Sequence, residues 1–166
     1  MLWNNVGALG GNFLDQVEQE FNASDAVTIA SGYISLDIIK KFAYRFEKIA
    51  SDGGQARLLV GMAFYEGLSA NKLSLLNNLC AKLENTGTGS GVFVSYNGKY
   101  HGKLYVFGNG INKKHYIGSS NFSRSGLSEN IECTAIINDD AVINSSVFLR
   151  IICLIMKMLF QFSKQI

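Results

Sequence analysis

Between residues 27 and 83 the spacing of apolar residues switches repeatedly between two periods, and few folds accept that pattern. Val27 to Ile34 is an apolar, β-branched run that reads as a buried strand. Asp37 to Ile49 then carries Ile38, Ile39, Phe42, Phe46 and Ile49 at helical spacing, with Lys and Arg on the other face. Ala56 to Ala63 is again a strand. Ser69 to Leu83 is again a helix, with Leu73, Leu76, Leu79, Cys80 and Leu83 inward and Asn85-Thr86-Gly87 as its stop. A further helix is expected over residues 10 to 21, and strands over Thr88 to Tyr96, Lys103 to Phe107, Tyr116 to Ser119 and Glu132 to Ile137. The strands on either side of Asn97-Gly98-Lys99-Tyr100 read as neighbours, and a helix-like segment begins at Asp140. Strand-helix-strand-helix followed by strands predicts an α/β fold, a mixed β-sheet sandwiched between helices.

At 166 residues the chain reads as one domain able to bury a core. Proline is absent, so turns fall to Gly, Asn, Asp and Ser, as at Asp52-Gly53-Gly54 and Gly108-Asn109-Gly110. A net charge of +2 attracts polyanions weakly, so nucleic-acid binding would need a local basic patch. The cysteines, Cys80, Cys133 and Cys153, are odd in number and lie in apolar surroundings, which predicts reduced core residues in a cytoplasmic protein. Two histidines and no Cys-x-x-Cys argue against a metal cage, and the N-terminus has no secretory pattern. The apolar stretch Val147 to Phe162 is interrupted by Arg150 and Lys157. It is shorter than the roughly 20 residues of a spanning helix, so no stable membrane insertion is expected. Residues 1–150 read as the folded domain, and 151–166 as an apolar C-terminal helix that packs across a dimer or marks a truncated end.

Chemistry concentrates late in the chain. In the run His101-Gly-Lys-Leu-Tyr-Val-Phe, strand geometry puts His101, Lys103, Tyr105 and Phe107 on one face and Leu104 and Val106 on the other. A second strand-like run, His115-Tyr116-Ile117, leads into Gly118-Ser119-Ser120-Asn121-Phe122. Asn130-Ile131-Glu132 then leads a third. An imidazole and an ammonium on one face, beside a Gly-Ser turn ending in an amide, make a pocket suited to a phosphoryl group.

This order of parts resembles the phospholipase D superfamily, whose signature is His-x-Lys, then an Asp, then Gly-Ser-x-Asn. The chain departs from it five residues after the Lys, where Gly108 stands in place of Asp, and the loop Gly108 to Lys114 reads as longer than usual. The run Gly-Ser-Ser-Asn-Phe-Ser with Gly-Leu-Ser-Glu-Asn-Ile-Glu is most similar to the restriction-endonuclease branch of NgoFVII type. The resemblance implies a metal-independent, cofactor-free endonuclease acting on DNA, the catalytic domain of a type II restriction enzyme. Sequence recognition would then lie in another domain, or in a helicase or methyltransferase partner.

The resemblance also implies roles. His101 is the nucleophile or acid, forming a phosphohistidine intermediate, and Glu132 fixes its tautomer, with Glu129 the nearby second choice. Lys103 and Asn121 donate to the non-bridging oxygens, and Ser119 adds a hydroxyl. Gly118 allows close backbone approach and Arg124 flanks the site; read from the residues alone, His115 with Lys113 and Lys114 forms a small basic cluster, either a solvated loop or a substrate contact. In-line displacement needs a second imidazole on the leaving side. A single copy of the motif therefore predicts a homodimer with one composite active site. The alternatives are a lipid phosphodiesterase of the same chemistry, or a non-catalytic DNA-binding subunit that keeps the fold.

Overall fold

The computed structural model describes residues 2–3, 11–95 and 98–137. Its elements are β1 (Leu2–Trp3), α1 (Phe13–Ala23), β2 (Ala26–Ser31), α2 (Leu36–Ser51), β3 (Gln55–Val60), α3 (Ala63–Glu66), α4 (Ala70–Glu84), β4 (Gly91–Val94), β5 (Lys103–Asn109), β6 (Asn112–Gly118), a π-helical turn (Ser125–Glu129) and β7 (Thr134–Ile137). The expected helix from Asp140 and the apolar 147–162 stretch lie outside the described residues.

Among the described residues seven strands form one mixed sheet in the order β1-β7-β6-β5-β2-β3-β4. β2, β3 and β4 run parallel, as strand-helix-strand crossovers require, and every other pairing is antiparallel. The fold is α/β, as the alternating periods predict.

The helical stripes meet the sheet in one large cluster. Phe13, Val17 and Phe21 of α1, Phe42 and Phe46 of α2, and Leu76, Leu79 and Leu83 of α4 are buried against Val27, Ile29, Leu58, Tyr105, Phe107 and Tyr116. Phe21 stacks on Phe42 at 4.7 Å and meets Phe46 and Phe107 edge-on, geometries that add to simple area burial. Leu104, with Val106 packed beside it, joins Ala30 and Leu59 in a separate cluster, so the predicted alternation along β5 holds. Asn12 caps α1 by accepting from Asp15 N–H, and Ser69 caps α4 by accepting from Lys72 N–H.

Three expectations about the elements fail. β4 and β5 are not neighbours, because β3 and β2 stand between them. Asn97-Gly98 between two apolar runs is a strong hairpin signal. However, the crossovers through α2 and α4 build outward from one edge of β2 and leave its other edge unpaired. β5 matches that edge along all of β2, from Ala26 with Gly108 to Ser31 with Lys103, satisfying backbone groups at the centre of the sheet. The supposed long loop from Gly108 to Lys114 is a tight hairpin, with Asn109 facing Asn112 across Gly110-Ile111 and Gly110 at φ 58°. Leu73, expected inward, is 47% exposed.

Candidate active site

Ahead of β5, Tyr100 and His101 lie across the carboxyl ends of β3 and β2. Glycines make that passage possible. A Cβ on Gly61 would lie 1.9 Å from the Tyr100 carbonyl oxygen, and one on Gly32 would lie 3.2 Å from both Cα and Cδ2 of His101. Gly102 is confined by the folded-back Tyr100 ring, whose hydroxyl would be 2.6 Å from an added Cβ. Burial of that phenol pushes its pKa up to about 12. Gly32 N–H donates to Gly102 O at 3.2 Å. The crossover thus sets His101 against Gly32, next to Ser31, whose cross-strand partner is Lys103. Strand order reverses at β2, and the rim outside the carboxyl ends at such a reversal is where open α/β sheets hold ligands.

Lys103 Nζ lies 3.0 Å from His101 Nδ1 and 3.3 Å from Nε2, and also donates to the His101 carbonyl. Burial lowers the pKa of Lys103, while the nearby Glu132 carboxylate acts the other way. The Tyr33 ring meets His101 edge-on, 5.4 Å between centroids.

Asn121 arrives from the far side of the sheet. Ile34 bridges to Phe122, Tyr105 Oη donates to Ser120 O at 2.8 Å, and Ser120 Oγ pairs with Thr134 Oγ1 at 2.6 Å. Gly126, in the π-helical turn, backs directly onto Asn121, and a Cβ there would lie 2.6 Å from Asn121 N and O. Tyr33 N–H donates to Asn121 Oδ1 at 3.1 Å. That donor fixes the amide's orientation and leaves its NH2 group for an anion. Ser31 Oγ gives its proton to Tyr33 O at 2.6 Å, accepts from Phe122 N–H at 2.9 Å, and lies 3.4 Å from Asn121 Oδ1.

Two candidate residues sit one step further out. Glu132 accepts from Asn130 Nδ2 at 3.3 Å and acts on Lys103 through its charge. Ser119 Oγ accepts from Cys133 N–H at 3.0 Å, while Ser119 N–H donates to Cys133 O, so this serine ties the Gly-Ser turn to the segment carrying Glu132. Gly118 serves the same junction, since a Cβ there would lie 2.1 Å from Cys133 O. The close approach it permits is that of the neighbouring chain segment.

Other expectations need correction. His115 is buried on β6 opposite Val106 and Ile137, and burial, then Lys113, lowers its pKa. Strand alternation sends Lys114 to the other face, where it pairs with the buried Glu20 at 2.8 Å. Cys133 is exposed rather than in the core, and Cys80 is half-buried. Arg124 is held at the surface by Glu129 at 3.0 Å and Asp37 at 3.7 Å. Gly108 lies at the opposite end of β5 from Lys103, about 17 Å away along the strand. There Asp25 accepts from Gly110 N–H at 2.9 Å and supports the hairpin turn.

A cleft of about 600 Å³ opens at that same distant end, among Asp25, Lys41, Arg45 and Asn109, and includes none of the candidate residues. Among the described residues no three His, Cys, Asp or Glu side chains gather to hold a metal ion, and no helix is long and apolar enough to cross a membrane.

Residues 12–155 match the family model described as the NgoFVII restriction endonuclease N-terminal PLD (phospholipase D) domain. The chain belongs to that family. No curated protein sequence matches it. Among solved structures, this PLD domain is similar to Nuc, a phospholipase D family member from Salmonella typhimurium. The TM-score is 0.61 at 14% identity, covering 95% of this chain and 91% of Nuc. NucT from Helicobacter pylori gives a TM-score of 0.60 at 15% identity, covering 96% and 94%. Polyphosphate kinase from Porphyromonas gingivalis gives 0.53 at 14%, covering 94% of this chain and 21% of the kinase. These likenesses show a PLD-like fold, and the family match makes the chain a nuclease-related PLD domain.

Proposed function

We propose that this PLD domain is a DNA phosphodiesterase working through a phosphohistidine, within a restriction endonuclease of the NgoFVII kind. The observation that carries the reading is the grouping of His101, Lys103 and an oriented Asn121 amide on one rim of the sheet. A His101 ring nitrogen attacks phosphorus, a P–N bond forms and one P–O ester bond breaks. The leaving oxygen takes a proton from an imidazole on the opposite side. Water then attacks phosphorus with that second imidazole as base, the P–N bond breaks, and His101 is regenerated. Lys103 and Asn121 hold the non-bridging oxygens as charge builds on them. With one motif per chain, the second imidazole is His101 of another copy, so the working unit is a homodimer. Charge stabilisation by Lys103 and Asn121 makes a metal ion unnecessary. Sequence recognition belongs to another domain or partner, and the free cysteines suit a cytoplasmic setting.

The test is cleavage of plasmid DNA in EDTA, with His101→Ala as control. Wild-type protein is expected to nick or linearise the plasmid, and the variant to leave it intact. DNA left whole by the wild type, or cut equally by both, would refute the proposal. Turnover of phosphatidylcholine without DNA cleavage would assign the same residues to a lipid.

A further inference from the structure

His101 is touched by two residues of the loop that follows β2. Gly32 lies against its Cα and Cδ2, and the Tyr33 ring meets its imidazole edge-on at an interplanar angle of 82°. The backbone of that loop is tied from three directions. Tyr33 N–H donates to Asn121 Oδ1, Tyr33 O accepts from Ser31 Oγ, and Ile34 O accepts from Lys72 Nζ at 3.2 Å. The Tyr33 ring is only half-buried and belongs to neither apolar cluster, so core packing does not fix its rotamer. Its hydroxyl donates to Glu66, the last residue of α3. That turn is anchored to the same strand end. Gly61 and Met62 N–H donate to Ser31 O and Gly32 O at 2.8 and 3.0 Å, and Glu66 N–H donates to Met62 O at 3.1 Å. The Glu66 hydrogen bond raises the Tyr33 phenol above its ordinary pKa of 10.0, so the donor keeps its proton near neutral pH.

A tyrosine–carboxylate bond at a surface is ordinary in itself. This one holds the ring that abuts the candidate nucleophile, on the residue whose N–H orients Asn121. An imidazole free to turn about its ring bond presents a nitrogen to phosphorus only part of the time, and the rate falls with that fraction. We propose that Glu66 and Tyr33 are positioning residues: the carboxylate, through the phenol, holds the His101 imidazole at the angle from which it attacks phosphorus. The attack rests on the nuclease reading above, whereas the coupling of Glu66 to the imidazole does not.

The experiment reads both on the full chain. It holds two histidines, so carbon–proton correlation spectra separate the His101 ring from that of His115, with His101→Ala as the assignment control. Glu66→Ala and Tyr33→Phe break the same bond. Each should shift the His101 ring resonances in the same direction, and the double variant should move them no further. Glu66→Gln keeps an accepting oxygen and should stay close to the wild type. In plasmid cleavage the two single variants should each lose roughly tenfold in kcat with little change in KM, again without additivity, and Glu66→Gln should recover most of that loss. His101 resonances unmoved by Glu66→Ala would overturn the proposal, as would additive losses. A raised KM with kcat intact would also overturn it, making Tyr33 a substrate contact instead. Resonances that respond as expected in a protein that cuts no DNA would keep the coupling and remove the nuclease reading.

Discussion

Lys103 is the candidate group whose charge the fold opposes. Burial lowers its pKa, so the ammonium is complete below the folded value and is lost as pH rises through it. Activity that needs this charge should therefore fall on the alkaline side at a pH below the ordinary lysine value of 10.5. Glu132 works against the lowering. Glu132→Gln should move that alkaline limb to lower pH, while Lys103→Arg should carry it upward, since guanidinium keeps its proton. Profiles of kcat/KM against pH check both, and a limb that moves upward in Glu132→Gln would contradict the assignment. Ser31 makes a second case. Removing its hydroxyl strands the buried Phe122 N–H and loosens the Tyr33–Asn121 contact. Ser31→Ala should cost about 1–3 kcal/mol in urea unfolding and lower kcat more than it raises KM. His101, Lys103 and Asn121 could be put forward as candidates because they sit in short local motifs. Ser31 and Tyr33 could not, because a serine and a tyrosine at a strand end carry no signal until the chain brings Asn121 to them.

At the scale of elements, the decisive piece is the crossover between β4 and β5. Gly61→Ala would drive a methyl into the Tyr100 carbonyl and push the segment off the strand ends. A loss of about 1–3 kcal/mol is expected by thermal unfolding, with activity falling further because His101 moves with the segment. Gly53→Ala, with nothing near its Cβ, meets only the backbone strain of φ 89° and should spare activity. The helices and parallel strands were readable from periodicity because each carries its own buried stripe. Strand adjacency was not. Asn97-Gly98 favours a hairpin locally, whereas pairing with the open edge of β2 satisfies more backbone groups. His115 was misread for a related reason: the Lys-Lys-His run looks like a loop until alternation splits it between two faces.

For the whole molecule, the proposed mechanism with two imidazoles predicts that activity depends on pairing of chains. When equal amounts of wild type and His101→Ala are unfolded together and refolded, random pairing leaves about a quarter of the dimers fully wild type. Activity should then be about half that of the same proteins refolded separately. Undiminished activity in the mixture would show that each chain works alone. The candidate site lies on an open rim, a geometry that admits a polymer from the side.

Asn121 takes its orientation from Tyr33, 88 positions earlier in the chain, and His101 rests on Gly32. If the proposed centre is the working one, a contiguous fragment shorter than that span should be inactive. Heat inactivation and global melting should accordingly proceed as one event, and split halves of the protein should regain cleavage only when mixed.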